Sequence, residues 1–427
     1  MNFVKSVRIE GFWGDRTVEV KFQKDLNFLI GLNGSGKTTI INLIAASLRA
    51  DVAALHAASF SKILIVLKSQ GANRKPVIEI TKSTNELMGS IEILYLMKDK
   101  TTDKGSTFVI EGPNDDRLYR DPRSVRSRRV IEAGAKLSAV LESITEVNWL
   151  SVHRRAVDRG SKYQGEEEFD STVDQKISEI SRKFSTYFSL LASKASEESK
   201  QFQEQVFLSL LEHDENTISG IISEHDDPEE RSLVIGALRD LGVSPTKAMK
   251  SVNTHYAKFE SAKKTLRVEG KVTIDSVTTV SDTWRMRQMV TRWKSFNLKR
   301  EKIFEPRTNF ETILNGLFSG KELHFDPRNI PTIDLARGDK TRIDSLSSGE
   351  KQLFILLGEA LLQEGRPVVF ISDEPELSLH VAWQSVLFEN VRRLNPACQI
   401  ICATHSPDIV GPFQNRVIQV EDCFFNV

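Results

Sequence analysis

The sequence has no net charge and no long apolar run, and each absence argues against one class of protein. Lys and Arg together number 58, and so do Asp and Glu. This balance disfavours a protein that binds nucleic acid through a basic overall charge, although local basic patches are left open. No stretch approaches the roughly 18 consecutive apolar residues that a membrane helix requires. We therefore expect no membrane contact.

Cysteine is also scarce, and its placement argues against a secreted, disulfide-stabilised protein. The chain has three cysteines, Cys398, Cys402 and Cys423, which cannot all pair with one another. Two belong to an apolar run, so buried, reduced thiols are expected. A metal site at these two lacks a second His or Cys pair at suitable spacing. The opening residues MNFVKSVRIEGF lack the apolar core and cleavage site of a signal peptide, so a cytoplasmic location is expected.

The first part of the chain has the pattern of a sheet. A length of 427 residues suits two or three domains. Apolar and polar residues alternate in short runs rich in β-branched and aromatic side chains, which predicts strands. These strands are predicted at 3–10, 16–22, 26–30, 60–67, 76–82, 91–97 and 107–110. A Gly-rich turn and a helix from about Lys37 to Leu48 follow the third run. We interpret residues 1–155 as a mixed-sheet lobe and the N-terminal part of a head.

Residues 156–320 have a helical pattern instead. Apolar residues recur there at alternating spacings of four and three, which is the heptad seam of a coiled coil. The seam comprises Val173, Ile177, Ile180, Phe184, Tyr187 and Leu191. Ser171 and Asp174 resemble a capping box with Asp in place of Glu. Further helices are predicted at 229–241, 245–267 and 283–303. We interpret this region as an inserted arm; the alternative is a helical subdomain packed on the head.

From residue 321 to 427 the α/β pattern resumes. Strands are predicted at 331–335, 367–372, 398–403 and 416–420, and helices at 350–363 and 380–393. The sequence therefore predicts an α/β fold whose head is divided in two by the helical insertion.

The turn Gly31-Leu32-Asn33-Gly34-Ser35-Gly36-Lys37-Thr38 matches the phosphate-binding pattern GxxxxGK[ST]. Its glycines allow a tight turn whose N–H groups point at one phosphate, and the following helix adds its positive N-terminal end. Lys37 would neutralise phosphate charge, and the Thr38 hydroxyl would bind Mg²⁺. The predicted nucleotide contacts are Asn33, Gly34, Ser35, Gly36, Lys37, Thr38 and Thr39.

An apolar strand ending in two carboxylates follows later, at Pro367 to Glu374. Asp373 is predicted to hold Mg²⁺, and Glu374 to act as the base that orients the attacking water. By itself an acidic pair at the end of a strand is often only a solvated loop. Combined with the phosphate loop, it indicates nucleotide hydrolysis.

Two further motifs flank the acidic pair. Small residues precede an apolar helix and could present N–H groups and the helix dipole to an anion; they are Ser347, Ser348 and Gly349, followed by Glu350. The same pattern alone is also typical of an ordinary N-cap. His405 follows the apolar run 399–402 and could donate a hydrogen bond to a terminal phosphate. A lone His there would more often be structural.

The order and spacing of these motifs resemble the ABC ATPase superfamily, and within it the soluble branch of SMC, RecF-like and OLD (AAA15-like) proteins. The resemblance is carried by GLNGSGK, by LSSGE in place of LSGGQ, and by DEPELSLH at 373–380, and it covers about 1–155 and 320–427. It implies that two heads meet head to tail around ATP and Mg²⁺. Lys37 of one copy and residues 347–350 of the other would hold the triphosphate, with Glu374, Lys37 and His405 catalytic.

The sequence departs from the family pattern in two places. His380 stands where transporters and SMC proteins carry Asp, and no Q-loop glutamine is obvious: Gln164 is a candidate, with His153 and Arg154 as rivals. Too few residues follow His405 for the TOPRIM nuclease of OLD proteins. The chain thus resembles the ATPase subunits of two-gene anti-phage systems, AriA of PARIS first and PtuA of Septu second. This implies control of a separate nuclease effector and sensing of a phage protein.

Other functions remain as alternatives. A RecF- or SMC-like repair ATPase is the main one, and a transporter subunit is weaker because of the long insertion. Two basic clusters could bind phosphates, or could be solvated faces or docking surfaces for an acidic partner. The first comprises Arg117, Arg120, Arg123, Arg126, Arg128 and Arg129, and the second Arg285, Arg287, Arg292, Lys294, Lys299, Arg300 and Lys302, with Trp284 and Trp293 interleaved. Nucleic acid is left open as a partner and is not required.

Overall fold

The computed structural model of the chain describes residues 2–69, 74–85, 90–99, 105–112, 125–151, 172–211, 228–267, 272–336 and 338–426. These residues form two compact units. The head comprises the described residues up to Ser185 and from Asn309 onward, and the helical unit comprises Thr186–Thr308. Each unit is described by itself.

The strands of the head form three sheets. They are β1 Asn2–Phe12, β2 Arg16–Lys21, β3 Leu26–Ile30, β4 Lys62–Ser69, β5 Val77–Asn85, β6 Ser90–Lys98, β7 Ser106–Gly112, β8 Glu146–Ser151, β9 Lys321–Phe325, β10 Pro331–Leu335, β11 Lys340–Arg342, β12 Val368–Asp373, β13 Gln399–Ala403, β14 Val417–Gln419 and β15 Phe424–Asn426. The largest sheet has the order β15-β2-β1-β4-β5-β6-β7, and a small one has the order β11-β10-β9. Every neighbouring pair in both is antiparallel.

The third sheet is wholly parallel and has the order β14-β3-β13-β12-β8. Its β12 and β13 are buried almost throughout, which explains why they read as unbroken apolar runs. Because β3 and β8 precede the helical insertion while β12 to β14 follow it, the two halves of the sequence build one head. The predicted α/β class with a helical insertion is confirmed, and parallel and antiparallel strand pairs lie in separate sheets.

The helices of the described residues are α1 Lys37–Arg49, α2 Val52–Ala57, α3 Val125–Ile144, α4 Thr172–Leu211, α5 Pro228–Asp240, α6 Pro245–Arg267, α7 Ile274–Leu317, α8 Ser348–Leu362, α9 Val381–Gln384, α10 Leu387–Leu394 and α11 Pro407–Val410. Helix α1 lies between the two large sheets. Its Ile40, Ile41 and Ile44 belong to one core cluster with Ile9 of β1 and Ile371 of β12. This packing fixes the turn that precedes α1 relative to both sheets.

Five of the six residues of the predicted heptad seam are buried on α4, and Val173 is partly exposed. Ile177, Ile180, Phe184, Tyr187 and Leu191 are all at most 9% exposed. In the head, the Phe184 ring contacts the rings of Phe310, Phe325 and Phe354. The start of α4 is therefore an integral part of the head core.

The helical unit has a core of its own. Val252, Tyr256, Phe259 and Val280 form its centre, and the Arg231 guanidinium lies 4.8 Å from the centre of the Tyr256 ring. The predicted helices at 229–241 and 245–267 are found at nearly those bounds, whereas the one predicted at 283–303 extends over 274–317 and contains Pro306.

The cysteines are buried and form no disulfide with one another, as expected. Burial raises the pKa of the Cys398 and Cys423 thiols to about 11, so both stay protonated near neutral pH. Among the helices that the structure describes, none combines the length and apolar character needed to cross a bilayer.

Candidate nucleotide site

The predicted site residues gather at one edge of the parallel sheet. The register pairs Asp373 of β12 with Ala403 of β13, and Ala403 with Leu29 of β3. The carboxyl ends of these strands therefore coincide, and ligands of open parallel sheets bind at such an edge. The phosphate loop begins at the end of β3, the acidic pair lies at the end of β12, and His405 follows the end of β13.

The phosphate loop needs its glycines for two reasons. Gly34 and Gly36 have φ values of 79° and 96°, in the left-handed region that favours glycine. A Cβ on Gly36 would lie 3.0 Å from the Phe12 ring and 3.1 Å from the Trp13 ring. The Ser35 hydroxyl oxygen is buried and has no hydrogen-bond partner among the described residues. Such an unsatisfied group fits a loop that receives a polar ligand.

Lys37 is turned onto its own loop. Its Nζ donates to the carbonyl oxygens of Gly31 and Leu32, at 2.9 and 3.0 Å. Burial lowers the pKa of Lys37, and the charges of Glu421, Glu374 and Asp373 partly offset that effect. The ammonium is thus held at the mouth of the loop by neutral acceptors, which phosphate oxygens can replace.

Thr38 and Asp373 meet where Mg²⁺ was predicted. The Thr38 hydroxyl donates to Asp373 Oδ1 at 3.2 Å, although 335 positions separate the two residues. A hydroxyl and a carboxylate are oxygen ligands of the kind that Mg²⁺ prefers beside a nucleotide. These residues therefore fit the ion.

Glu374 and His405 are adjacent. His405 Nε2 lies 3.6 Å from Glu374 Oε1, and both side chains are partly exposed. Glu374 has a φ of 46°, unusual for a residue other than glycine, and its N–H donates to Ala403 O at 2.9 Å. Strained backbone of this kind persists where surrounding structure enforces it, often at functional sites.

The serine turn caps α8. Ser347 and Glu350 form a reciprocal capping box, in which Glu350 Oε2 accepts from Ser347 N at 2.7 Å and also from Lys321 Nζ at 2.6 Å. Ser347 and Ser348 are exposed, whereas Gly349 is buried and a Cβ there would collide with the Ser378 carbonyl. Glu350 thus has a structural role, and its predicted contact with nucleotide stays a prediction.

Replacing Glu350 with Gln should destabilise the head in a pH-dependent way. Burial by itself raises the pKa of Glu350, but the hydrogen bonds from Lys321 and Ser347 outweigh it and hold the pKa below its usual 4.5. The stabilisation is therefore present above pH 4.5 and is lost as pH falls through the folded-state pKa. We expect Glu350→Gln to lower the free energy of unfolding by about 1–2 kcal/mol at pH 7.

The measurement is urea unfolding at pH 7 and at pH 3.5, with Glu389→Gln on an exposed helix position as the matched control. The deficit of Glu350→Gln should shrink at the lower pH. A deficit that is independent of pH would contradict the role of the charge.

Two residues that sequence reasoning missed lie against the loop. The Trp13 indole is 45% exposed, contacts Phe12 and Phe424, and covers Gly36. Glu421 Oε1 accepts from the Leu32 N–H at 2.7 Å, and this hydrogen bond lowers the pKa of Glu421. Only the Gly-flanked turn around Trp13 offered a sequence signal.

An open cleft of about 630 Å³ adjoins the loop. It is lined by Gly31, Leu32, His405, Ser406, Gln414 and Glu421, among others. Its size is in the range of small-molecule sites. Thr39, predicted to contact nucleotide, lines a separate cavity of about 420 Å³ together with Trp149.

Several predicted features fall outside the part of the chain that the structure describes. Gln164, His153 and Arg154 lie outside the described residues, and so do the side chains of the first basic cluster.

In the second basic cluster, some members have partners within the helical unit: Arg287 pairs with Glu230 at 2.7 Å, Arg292 donates to Gln205 O at 2.6 Å, and Lys299 pairs with Glu198 at 2.9 Å. These contacts give part of the cluster a structural explanation.

The fold and the motifs at this edge define a P-loop ATPase domain. The sequence matches the AAA ATPase domain family over residues 3–410, and the chain belongs to that family. It is 31% identical over 109 residues to the phosphonates import ATP-binding protein PhnC of Bdellovibrio bacteriovorus, a match that covers 25% of this chain and 41% of PhnC.

Solved structures that align with this chain include heads of SMC proteins. The Smc head domain of Pyrococcus furiosus, with an extended coiled coil and bound to the C-terminal domain of ScpA, is 16% identical with a TM-score of 0.44; the alignment covers 96% of this chain and 92% of that one. The SMC head domain of Thermotoga maritima is 12% identical with a TM-score of 0.37, over 96% and 91% of the two chains.

Proposed function

We propose that two copies of this chain join head to tail around ATP and hydrolyse it. The proposal rests on two groups of residues that one head carries. Lys37, Thr38 and Asp373 lie together at the sheet edge, and the exposed Ser347 and Ser348 stand at the N-terminus of the 15-residue helix α8. A neighbouring copy would bring its serine turn to the triphosphate on Lys37, as the resemblance to ABC ATPases implies.

The residues at the sheet edge suit this chemistry. Lys37 would exchange its carbonyl partners for phosphate oxygens, and the loop N–H groups and the Ser35 hydroxyl would donate to the same group. Mg²⁺ held by Thr38 and Asp373 would neutralise phosphate charge. Glu374 would accept the proton of the attacking water, while His405, 3.6 Å from that carboxylate, would donate to the terminal phosphate.

A mixing experiment tests whether the site is composite. Lys37→Ala removes the phosphate lysine, and Ser348→Arg blocks the serine turn with a bulky side chain. Each variant alone should be inactive, since every site in its dimer carries the defect. Mixed dimers contain one site with neither defect, so an equal mixture should recover about a quarter of wild-type turnover.

The control is Ser143→Arg, an exposed position on α3, mixed with Lys37→Ala. Ser143→Arg alone should hydrolyse ATP at the wild-type rate. A mixture of Lys37→Ala and Ser348→Arg that stays inactive, although mixed dimers are detected by two affinity tags, would contradict the composite site.

We further propose that the ATPase is a cytoplasmic switch that controls a separate nuclease effector in anti-phage defence, after sensing a phage protein. This role is supported by the resemblance to the two-gene systems and by the helical insertion between the halves of the head. Co-purification with the product of the neighbouring gene, followed by measurement of the complex mass, tests it. A neighbour that is no nuclease and does not bind would contradict the role.

A DNA-repair ATPase of the RecF or SMC kind is the second candidate. It is favoured by exposed basic residues on α7, namely Lys294, Arg300 and Lys302. Binding to duplex DNA should then weaken steeply as salt rises, because phosphate contacts release counterions. Absence of binding at low salt would exclude this candidate.

A further inference from the structure

We propose that Glu376 is a positioning residue that sets the place of His405 relative to Glu374. The inference rests on the proposed hydrolysis of ATP and extends it to a residue of the DEPE segment to which no role has been given. Glu376 lies two positions after Glu374, at the turn that leaves β12.

One carboxylate oxygen of Glu376 accepts three hydrogen bonds from the turn that carries His405. Glu376 Oε1 accepts from Thr404 Oγ1 at 2.6 Å, from His405 N at 2.9 Å and from Ser406 N at 3.1 Å. Thr404 Oγ1 in turn accepts from Ser406 N at 3.0 Å. Consecutive N–H groups that converge on an anion form a concave nest, and charge-assisted bonds of this kind are stronger than neutral ones. The negative charge therefore determines the backbone path on both sides of His405.

The second carboxylate oxygen adds a free-energy cost to this arrangement. Glu376 Oε2 is buried and has no hydrogen-bond partner within the described part of the chain. A buried oxygen without a partner costs free energy. A neutral side chain that accepted the same hydrogen bonds would avoid the desolvation of a charge, so the carboxylate carries a cost that a neutral acceptor would not.

The same turn is tied to the segment that follows Glu374. Ser406 Oγ donates to Gln384 Oε1 at 2.6 Å, and Gln384 Nε2 donates to Leu379 O at 3.0 Å. Glu376 and Gln384 thus hold the turn from two points on one segment. A shift of that segment would therefore move His405 with it. Glu376 itself influences hydrolysis only through His405.

The experiment measures steady-state ATP hydrolysis in the full-length protein for Glu376→Ala, Glu376→Gln, His405→Ala and the double variant Glu376→Ala/His405→Ala. We expect His405→Ala to lower kcat on the order of 100-fold and Glu376→Ala about 10- to 100-fold. Because Glu376 acts through His405, the double variant should be no slower than His405→Ala. ATP affinity should be unchanged in all of them, and Glu376→Gln should retain part of kcat.

A merely structural role would give a different pattern. The losses in kcat would then multiply in the double variant, or would follow the loss of thermal stability; either result would overturn the inference, as would full activity of both Glu376 variants. Absence of hydrolysis in the wild-type protein would overturn the proposed function and the inference with it. A His405→Ala variant with full activity would overturn the role of His405 and, through it, that of Glu376. Glu389→Gln serves as the control for an exposed carboxylate.

Discussion

Lys37→Ala should weaken ATP binding on the order of 100- to 1000-fold, because it removes the buried ammonium that we propose binds the phosphates. The variant also loses the hydrogen bonds from Lys37 to the Gly31 and Leu32 carbonyls, so the phosphate loop would be less constrained. The dissociation constant of ATP, measured by calorimetry in the presence of Mg²⁺, reports the effect. Hydrolysis should fall with it.

The matched control for Lys37→Ala is Lys24→Ala, which removes an exposed lysine of the same head. Lys24→Ala should leave ATP affinity at the wild-type value. Circular dichroism establishes that both variants are folded. ATP affinity that is unchanged in folded Lys37→Ala would contradict the assignment of the phosphate loop.

Glu374→Gln should stop hydrolysis and preserve ATP binding. The amide keeps the size of the side chain but cannot accept the proton of the attacking water, so turnover should fall on the order of 100- to 10,000-fold. Because ATP then persists between the heads, the protein should accumulate as a dimer. Sedimentation velocity with and without ATP measures the dimer fraction, and a phosphate-release assay measures turnover.

Two outcomes would count against this assignment. Normal turnover in Glu374→Gln would show that Glu374 is not the base. A protein saturated with ATP that sediments as a monomer would contradict the head-to-tail dimer. Glu389→Gln should match wild type in both measurements, since it changes an exposed carboxylate to the same amide away from the sheet edge.

The sequence predicted the strands of the head well because alternation is a local signal. All seven strand predictions up to residue 110 overlap an observed strand, from β1 to β7. The helix predicted at 283–303 extends over 274–317 and passes through Pro306, although proline removes a backbone donor and usually ends a helix. Helix α3 was missed altogether, in a stretch that had been assigned to the sheet lobe.

The site was predictable where motifs follow strands, and not where distant segments meet. The order of the motifs implied that Thr38 and Asp373 would be neighbours, and the structure brings them to 3.2 Å. The hydrogen bond from Leu32 N to Glu421 joins residues 389 positions apart, and no local pattern marks Glu421. For the same reason the hydrogen bonds of Glu376 to the turn around His405 could not be read from spacing.

The position of β3 in its sheet has a consequence for biosynthesis. Both neighbours of this strand, β13 and β14, come from the carboxyl end of the chain. On the ribosome, the strand that leads into the phosphate loop therefore lacks both of its sheet neighbours until β13 and β14 have been translated. Pairing over such sequence distances is slow to form. The proposed nucleotide site should therefore form only once β13 and β14 have paired with β3.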